Sequence, residues 1–557
     1  MAKMTGAKCL AEFLERSGVT HVFWVPAVFE ATLDELGRGN WVSRIMAHGE
    51  KAAVYMADGY ARVSGQPGVC FAQMIGAANL AAGLLDPWFA HTPIVALTGG
   101  ATAEHMNRNT YQQIHGRPAF AMVTKEQVRV ERAALLPETL RQAFRTATSG
   151  TPGPVHIEIA GHFAEVEKIE ADMAVIIEDQ FQQLPPYRPV ADSDAIDAAL
   201  ALLGGAERPV IVAGGGVRAS GAGDQVVALA ERLAIPIATA LNAKDTVPGC
   251  HPLNLGVPGT YSRESANRAL VEADLVFFIG SHTGSQVTAH WHLPPAGTTV
   301  IQLGIDGAEM GRHYPNAVSL MGDARATLEV MVARADGASA ASRAPWTARA
   351  AALVADWRAK MAGFMNSDAQ PIRPERICRE LSGWLPRDAI LVSDTGHAGM
   401  WTGGIIDLNR DGDRMGHSYL RAAGSLGWAL PASIGAKLAA PDRPVVMFSG
   451  DGGFWYHLSE IETAVRWNAA VVFLVNNNGA LNQGMEPSAH GDTWKFSNSS
   501  FVDIAKAMGA DGVRVTDPGD IRGALDTALA SGKPYVVDIA SDITAQAPTA
   551  FTGSGSV

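Results

Sequence analysis

Two apolar runs, residues 446–448 and 471–475, are each followed at once by small polar residues. Gly450-Asp451-Gly452 comes after the first and Asn476-Asn477-Asn478-Gly479 after the second. A helix-like stretch, residues 458–467, lies between them. A strand, a helix and a second strand in this order form a parallel unit whose strand ends lie side by side. Asp451 and the asparagines therefore share one edge of one sheet. A carboxylate, an amide oxygen and a peptide carbonyl make an incomplete shell for a hard divalent cation, which diphosphate oxygens can complete. Asp451, Asn477 and the Gly479 carbonyl are the candidate metal ligands, with Asn478 competing for the place of Asn477. Gly450, Gly452 and Gly453 present the backbone against which phosphate oxygens would rest.

The rest of the chain repeats the strand–helix alternation in three blocks, which predicts an α/β protein with three parallel sheets. The first block, residues 1–165, holds the runs HVFWV, GVCFAQM and PIVALTG. The second, 190–335, holds PVIVAGGG, PIATAL, LVFFIG and TVIQLG, and the third, 370–545, holds AILVSD, PVVMFSG, VVFLVN and PYVVDI. Residues 166–190 read as a surface linker, and ARADGASAASRAP as a second, flexible one. With 557 residues the chain is too long for one core. A net charge of -12 without a basic stripe argues against a nucleic-acid partner. The four cysteines are scattered, which fits a reducing compartment and no zinc site. The first residues read as an amphipathic helix rather than a signal peptide, and no apolar run spans a membrane. The expected location is the cytoplasm.

The glycine–aspartate and asparagine elements, together with HGEKAAVYMADGYAR at residues 48–62, resemble the thiamine-diphosphate enzymes of the acetolactate synthase, pyruvate oxidase and 2-oxo acid decarboxylase type. The resemblance covers nearly the whole chain. It implies a pyrimidine-binding first domain, a central Rossmann-like domain and a diphosphate-binding third domain, with thiamine diphosphate and Mg2+ as cofactors. Glu50 falls on the family glutamate that hydrogen-bonds the cofactor's pyrimidine and favours the tautomer able to take the thiazolium proton, as a tuned catalytic carboxyl does. It is expected in an apolar pocket. AAGSLGWALPASIGAK, residues 422–437, resembles the segment around the pyrimidine. There Gly424 allows close backbone approach, and Leu426 is the bulky residue that bends the cofactor. DTGHAGMW, residues 394–401, resembles the second diphosphate loop and brings in Gly396 and His397. MIGAANL, residues 74–80, replaces a family glycine-rich loop and keeps Gly76 and Asn79.

On the substrate side, Gln112 stands where acetolactate synthases carry a glutamine able to hydrogen-bond the reacting carbonyl. His48, His115 and His417 are further candidates without an assigned role. Gln483 stands near the place of a decarboxylase glutamate, which favours passing the carbanion to a second electrophile, while Glu486 nearby weakens that inference. The turn AGGGVRASGAG, residues 213–223, marks a nucleotide-type fold. Acetolactate synthases bind FAD here and oxalyl-CoA decarboxylases bind ADP. The arginines of the FAD-binding relatives are missing from GSHTGSQ, residues 280–286. That argues against FAD and leaves ADP, CoA or an empty domain. The reading is a thiamine-diphosphate- and Mg-dependent lyase and carboligase acting on 2-oxo acids, similar to acetolactate synthase. The alternative is a 2-hydroxyacyl-CoA lyase or oxalyl-CoA decarboxylase. A non-catalytic nucleotide-binding protein and a nicotinamide dehydrogenase are rivals that leave Asp451 unexplained. The resemblance also implies a homodimer or homotetramer, because Glu50 and Asp451 serve opposite ends of one ligand.

Overall fold

The computed structural model describes residues 2–106, 108–409, 416–481, 492–548 and 550–553. Three parallel six-stranded sheets follow one another along the chain. In the first, the spatial order is Ser43–Met46, His21–Trp24, Gly68–Ala72, Ile94–Gly100, Val155–Ala160, Glu126–Val130. In the central sheet it is Asn254–Gly256, Ile237–Thr239, Pro209–Ala213, Leu275–Ile279, Thr299–Gly304, Val318–Met321. In the third it is Ser418–Arg421, Ile390–Ser393, Val445–Gly450, Val471–Asn477, Tyr535–Ala540, Asp511–Val515. Interior strands such as Leu275–Ile279 and Ile390–Ser393 are buried along their whole length, as strands covered by helices on both faces must be.

The first and third domains share one core. The helix Glu50–Ser64 lies across the helix Ala429–Ala439 with glycines at the crossing. A methyl on Gly59 would sit 2.0 Å from the Ala432 carbonyl oxygen, and one on Gly435 would sit 1.9 Å from that of Met56. Only glycine lets two helix backbones approach this closely. Beside the crossing, the Arg62 guanidinium bridges Asp58 at 2.6 Å and Asp86 at 3.0 Å, and Trp428 donates to Asp58 at 2.8 Å. Buried charges of this kind hold only when fully paired. The central domain is tied to the third through Arg263, which meets Asp407 at 2.8 Å, and through Lys244, which donates to the Gly403 carbonyl at 2.8 Å.

Two local expectations change. The expected flexible linker is ordered. Residues Gly337–Arg343 form 3-10 turns, and the buried Arg343 guanidinium donates to carbonyls of Leu203, Gly204, Ala206 and Leu233. A strand, Ala2–Thr5, also precedes the first helix, Gly6–Arg16, and pairs antiparallel with Glu170–Met173. Cys9, Cys70 and Cys378 are buried free thiols and Cys250 is exposed. Among the described residues no helix is long and apolar enough to cross a membrane.

Candidate cofactor site

The third sheet ends in a pocket at the carboxyl edge of its strands, the usual ligand position in open α/β sheets. Its walls come from the loop after Ile390–Ser393 (Asp394, Thr395, Gly396, His397), from Leu426, from Ser449 through Gly453, and from Asn476, Asn478, Ala480 and Leu481. Gly396 has φ +66, a left-handed conformation that starts the helix His397–Ile405 and that glycine adopts without strain. A Cβ on Gly450 would meet nothing within 4 Å, so this wall is bare backbone.

Asp451 is 2 % exposed and makes no ion pair among the described residues. The Ala480 N–H donates to its Oδ2 at 2.9 Å. Burial pushes its pKa up to about 7, against backbone N–H groups of Gly452 and Ala480 that lower it. A buried carboxylate of this kind lacks the positive charge that would keep it ionised. The Asn476 Oδ1 is likewise buried without a hydrogen-bond partner. Carboxylate and amide oxygens facing one pocket form the hard donor set that suits a magnesium- or calcium-type ion carrying phosphate. The residues present therefore fit a metal–diphosphate group.

Asp394, named in the sequence only as the first residue of its loop, organises the opposite wall. It is 1 % exposed and accepts from the Gly427 N–H at 3.0 Å, the Ser449 hydroxyl at 2.9 Å and the Thr395 N–H at 2.8 Å. Burial raises its pKa to about 7. Asp86 does similar work for the segment before Leu426, accepting the N–H groups of Ala423, Gly424 and Ser425. The only sequence signal for either residue was an aspartate just after an apolar run or just inside a helix.

The asparagine cluster differs from the expectation. Asn476 and Asn478 line the pocket, while Asn477, the last residue of the strand Val471–Asn477, is engaged elsewhere. The Asn477 amide donates to Asp538 at 2.9 Å, and its oxygen accepts the Gly479 N–H at 3.1 Å. Neither Asn477 nor Gly479 lines the pocket; Asn478 and Ala480 do. Gly424 is also absent from the walls, its N–H being turned to Asp86 at 3.3 Å.

Glu50, Gly76, Asn79 and Gln112 lie at the carboxyl edge of the first sheet. Glu50 begins its helix, and the Asn79 amide donates to it at 3.1 Å. A Cβ on Gly76 would meet the Glu50 carboxylate at 2.4 Å, so glycine is what allows the loop to close over it. The expected apolar pocket is not present around Glu50 in a single chain, where the residue is half-buried. Gln112, with φ +58, accepts from the Gln73 amide at 3.1 Å. No residue of this edge lines the pocket of the third domain. His48 bonds Glu462 at 2.8 Å on the surface, and His417 packs between Asn409 and the Pro386 carbonyl, so both serve the scaffold. His115 is exposed on a loop. Gln483 and Glu486 lie outside the described residues.

Three family models match in order. They are the N-terminal thiamine pyrophosphate-binding domain at residues 4–120, the central domain of thiamine pyrophosphate enzymes at 196–331, and the C-terminal thiamine pyrophosphate-binding domain at 394–539. The chain is 30% identical to a probable acetolactate synthase large subunit of Methanocaldococcus jannaschii, over 97% of this chain and 92% of the relative. The chain belongs to the thiamine pyrophosphate enzyme family. This thiamine-diphosphate enzyme is also 28% identical to a glyoxylate carboligase of Escherichia coli O157:H7, over 98% of this chain and 93% of the relative. It is 29% identical to a sulfoacetaldehyde acetyltransferase of Castellaniella defragrans, over 96% of this chain and 93% of the relative. A thiamine-diphosphate enzyme of this type catalyses decarboxylation and carboligation, and both of its cofactor-binding domains are present in one chain.

Proposed function

We propose that the protein is a magnesium- and thiamine-diphosphate-dependent carboligase. In this reading it decarboxylates a 2-oxo acid and joins the remaining fragment to a second carbonyl compound, as an acetolactate synthase does. The observation that carries the reading is the buried Asp451 carboxylate, without an ion-pair partner among the described residues, in one pocket with Asn476, Asn478 and the glycine backbone of residues 450–453. When bound there, thiamine diphosphate supplies a nucleophilic carbon that holds the electrons released as CO2 leaves.

The chain's own residues divide the remaining work. Asp451, the Asn478 side chain and the Ala480 carbonyl would hold the cation. Asn478 takes the place first given to Asn477 because it lines the pocket and Asn477 does not. Gly396, His397, Gly450, Gly452 and Gly453 let the diphosphate approach backbone. Leu426, which lines the same pocket, would support the thiamine from below. Glu50, held by Asn79, would hold a proton toward the pyrimidine and so favour its basic form. Gln112 donates a hydrogen bond to the oxygen of the reacting carbonyl, where charge develops.

Glu50 and its neighbours are absent from the pocket of their own chain. A second copy that brings its first domain over this pocket would complete the site and close the half-open environment of Glu50, so the active unit is a homodimer at least. The test is purified protein with magnesium, thiamine diphosphate and pyruvate. Release of CO2 with formation of acetolactate is the expected result. Protein that binds the cofactor yet consumes neither pyruvate nor another short 2-oxo acid would overturn the substrate assignment.

A further inference from the structure

We propose that His162, acting through Gln73, fixes which end of the Gln112 amide faces the reacting carbonyl. The three side chains come from three loops of the first sheet. Gln73 follows Gly68–Ala72, Gln112 lies in the loop after Ile94–Gly100, and His162 follows Val155–Ala160. Their strands are neighbours, so the three residues meet at the same carboxyl edge that carries Glu50.

The Gln73 Nε2 donates to the Gln112 Oε1 at 3.1 Å and lies 3.1 Å from the His162 Nε2. An amide NH2 has two protons and no lone pair to share. With the Gln73 NH2 turned to both partners, the imidazole nitrogen facing it is the acceptor and the neutral ring carries its proton on Nδ1. The His162 Nδ1 is buried and has no partner. Gln73 is therefore the hydrogen bond that orients the ring, and Phe163 packs edge-on at 4.2 Å between centroids.

Orientation passes outward along this row. With its Oε1 engaged by Gln73, Gln112 is left with its NH2 as the free end. Among the described residues that end reaches only the Tyr111 hydroxyl, at 3.4 Å. Gln112 therefore presents donors to the site. Donors suit a carbonyl oxygen, a carboxylate or a developing alkoxide, and do not suit a substrate that offers its own N–H or O–H. Without an acceptor at His162, the Gln73 amide gains nothing from this orientation and is free to turn its oxygen toward Gln112, which must then turn its own oxygen outward. Gln112 also sits at φ +58, a conformation that a non-glycine residue adopts at a cost. Its side chain is thus placed by backbone and polarised by neighbours. His162 is a positioning residue and selects for acceptors that offer oxygen lone pairs.

The inference rests on the carboligase reading for what Gln112 touches, but its structural half stands alone. Nitrogen-15-labelled histidine spectra of the folded holoenzyme report the tautomer directly, with His162 assigned by its loss in His162→Phe. The expected result is the Nδ1-protonated form, changed in Gln73→Leu. An Nε2-protonated ring, or one indifferent to Gln73→Leu, overturns the relay whatever the enzyme's substrate proves to be. His162→Phe keeps the ring's packing and removes the acceptor. If the wild-type enzyme ligates 2-oxo acids, the variant should lower kcat about tenfold while KM for the acceptor changes less, a loss of about 1.4 kcal/mol. Gln73→Leu should show the same split, which serves if His162→Phe does not fold. Equal loss in kcat and KM terms for both variants would contradict the polarising role. A wild-type enzyme that ligates no 2-oxo acid would remove the carboligase reading and leave the tautomer result standing.

Discussion

Two glycine-rich turns each join an interior strand of a parallel sheet to a helix, and they differ in what crowds them. In the central domain, Gly214 and Gly216 donate their N–H groups to the carbonyls of Ile279 at 2.7 Å and Gly280 at 2.9 Å. A Cβ on Gly214 would sit 2.3 Å from the Gly280 oxygen, and one on Gly216 would sit 2.7 Å from the Gly280 Cα. In the third domain, a Cβ on Gly450 meets nothing within 4 Å, and those on Gly452 and Gly453 meet side chains of the pocket wall, Leu481 at 2.6 Å and Asp394 at 2.5 Å. Both runs look alike in sequence because glycine records that something comes close. In the central turn it is the neighbouring strand, and in the third domain it is a pocket holding a buried acid.

Removing that acid is the strongest way to break the comparison. Asp451→Ala should abolish magnesium-dependent cofactor uptake and lower activity by at least about 100-fold, with titration calorimetry following the binding. The fold should survive, since the carboxylate is unpaired. The two glycine turns should then respond in opposite ways. Gly216→Ala drives a methyl into backbone and should cost roughly 1–3 kcal/mol of stability in denaturant melts while leaving cofactor affinity nearly unchanged. Gly450→Ala should cost under about 0.5 kcal/mol of stability and weaken cofactor binding about tenfold.

How much of this was legible in sequence follows from where apolar residues fall. Every run singled out as a strand proved an interior strand, because strands covered on both faces are mostly apolar, whereas the interior Val155–Ala160, interrupted by His156 and Glu158, was not singled out. The six edge strands, such as Glu126–Val130 and Asp511–Val515, were not singled out, since polar residues alternate along them. Asp451 was legible for the same reason as its strand. The choice between Asn477 and Asn478 was not, because it depends on where the strand's alternation stops, and a one-residue difference reverses the face. Asp394, Asp86 and His162 were invisible as functional residues because their partners are backbone groups or side chains distant in sequence.

Charge burial sharpens the same contrast. The pocket buries carboxylates, whereas the seam between the central and third domains buries Lys244, whose pKa is pushed down to about 7 by burial and by Arg263. A lysine with a lowered folded-state pKa binds its proton more readily when unfolded, so stability should rise with pH between about 7 and 10.5, approaching 1.4 kcal/mol per unit at most. Denaturant melts across that range should show the rise, and Lys244→Met should flatten it. A smaller expected effect concerns the closed turn. With its amides already engaged, the central domain should gain less than about 1 °C in Tm from added FAD, since a ligand that does not bind the native state does not stabilise it.

The most direct test is equilibrium binding of thiamine diphosphate to the cofactor-free protein, with and without magnesium, in the wild type and in Asp451→Ala. Stoichiometric uptake by the wild type that requires the divalent ion and disappears in the variant is the predicted result. A folded wild-type protein that takes up no thiamine diphosphate in the presence of magnesium, or an Asp451→Ala variant that binds it equally well, would contradict the account.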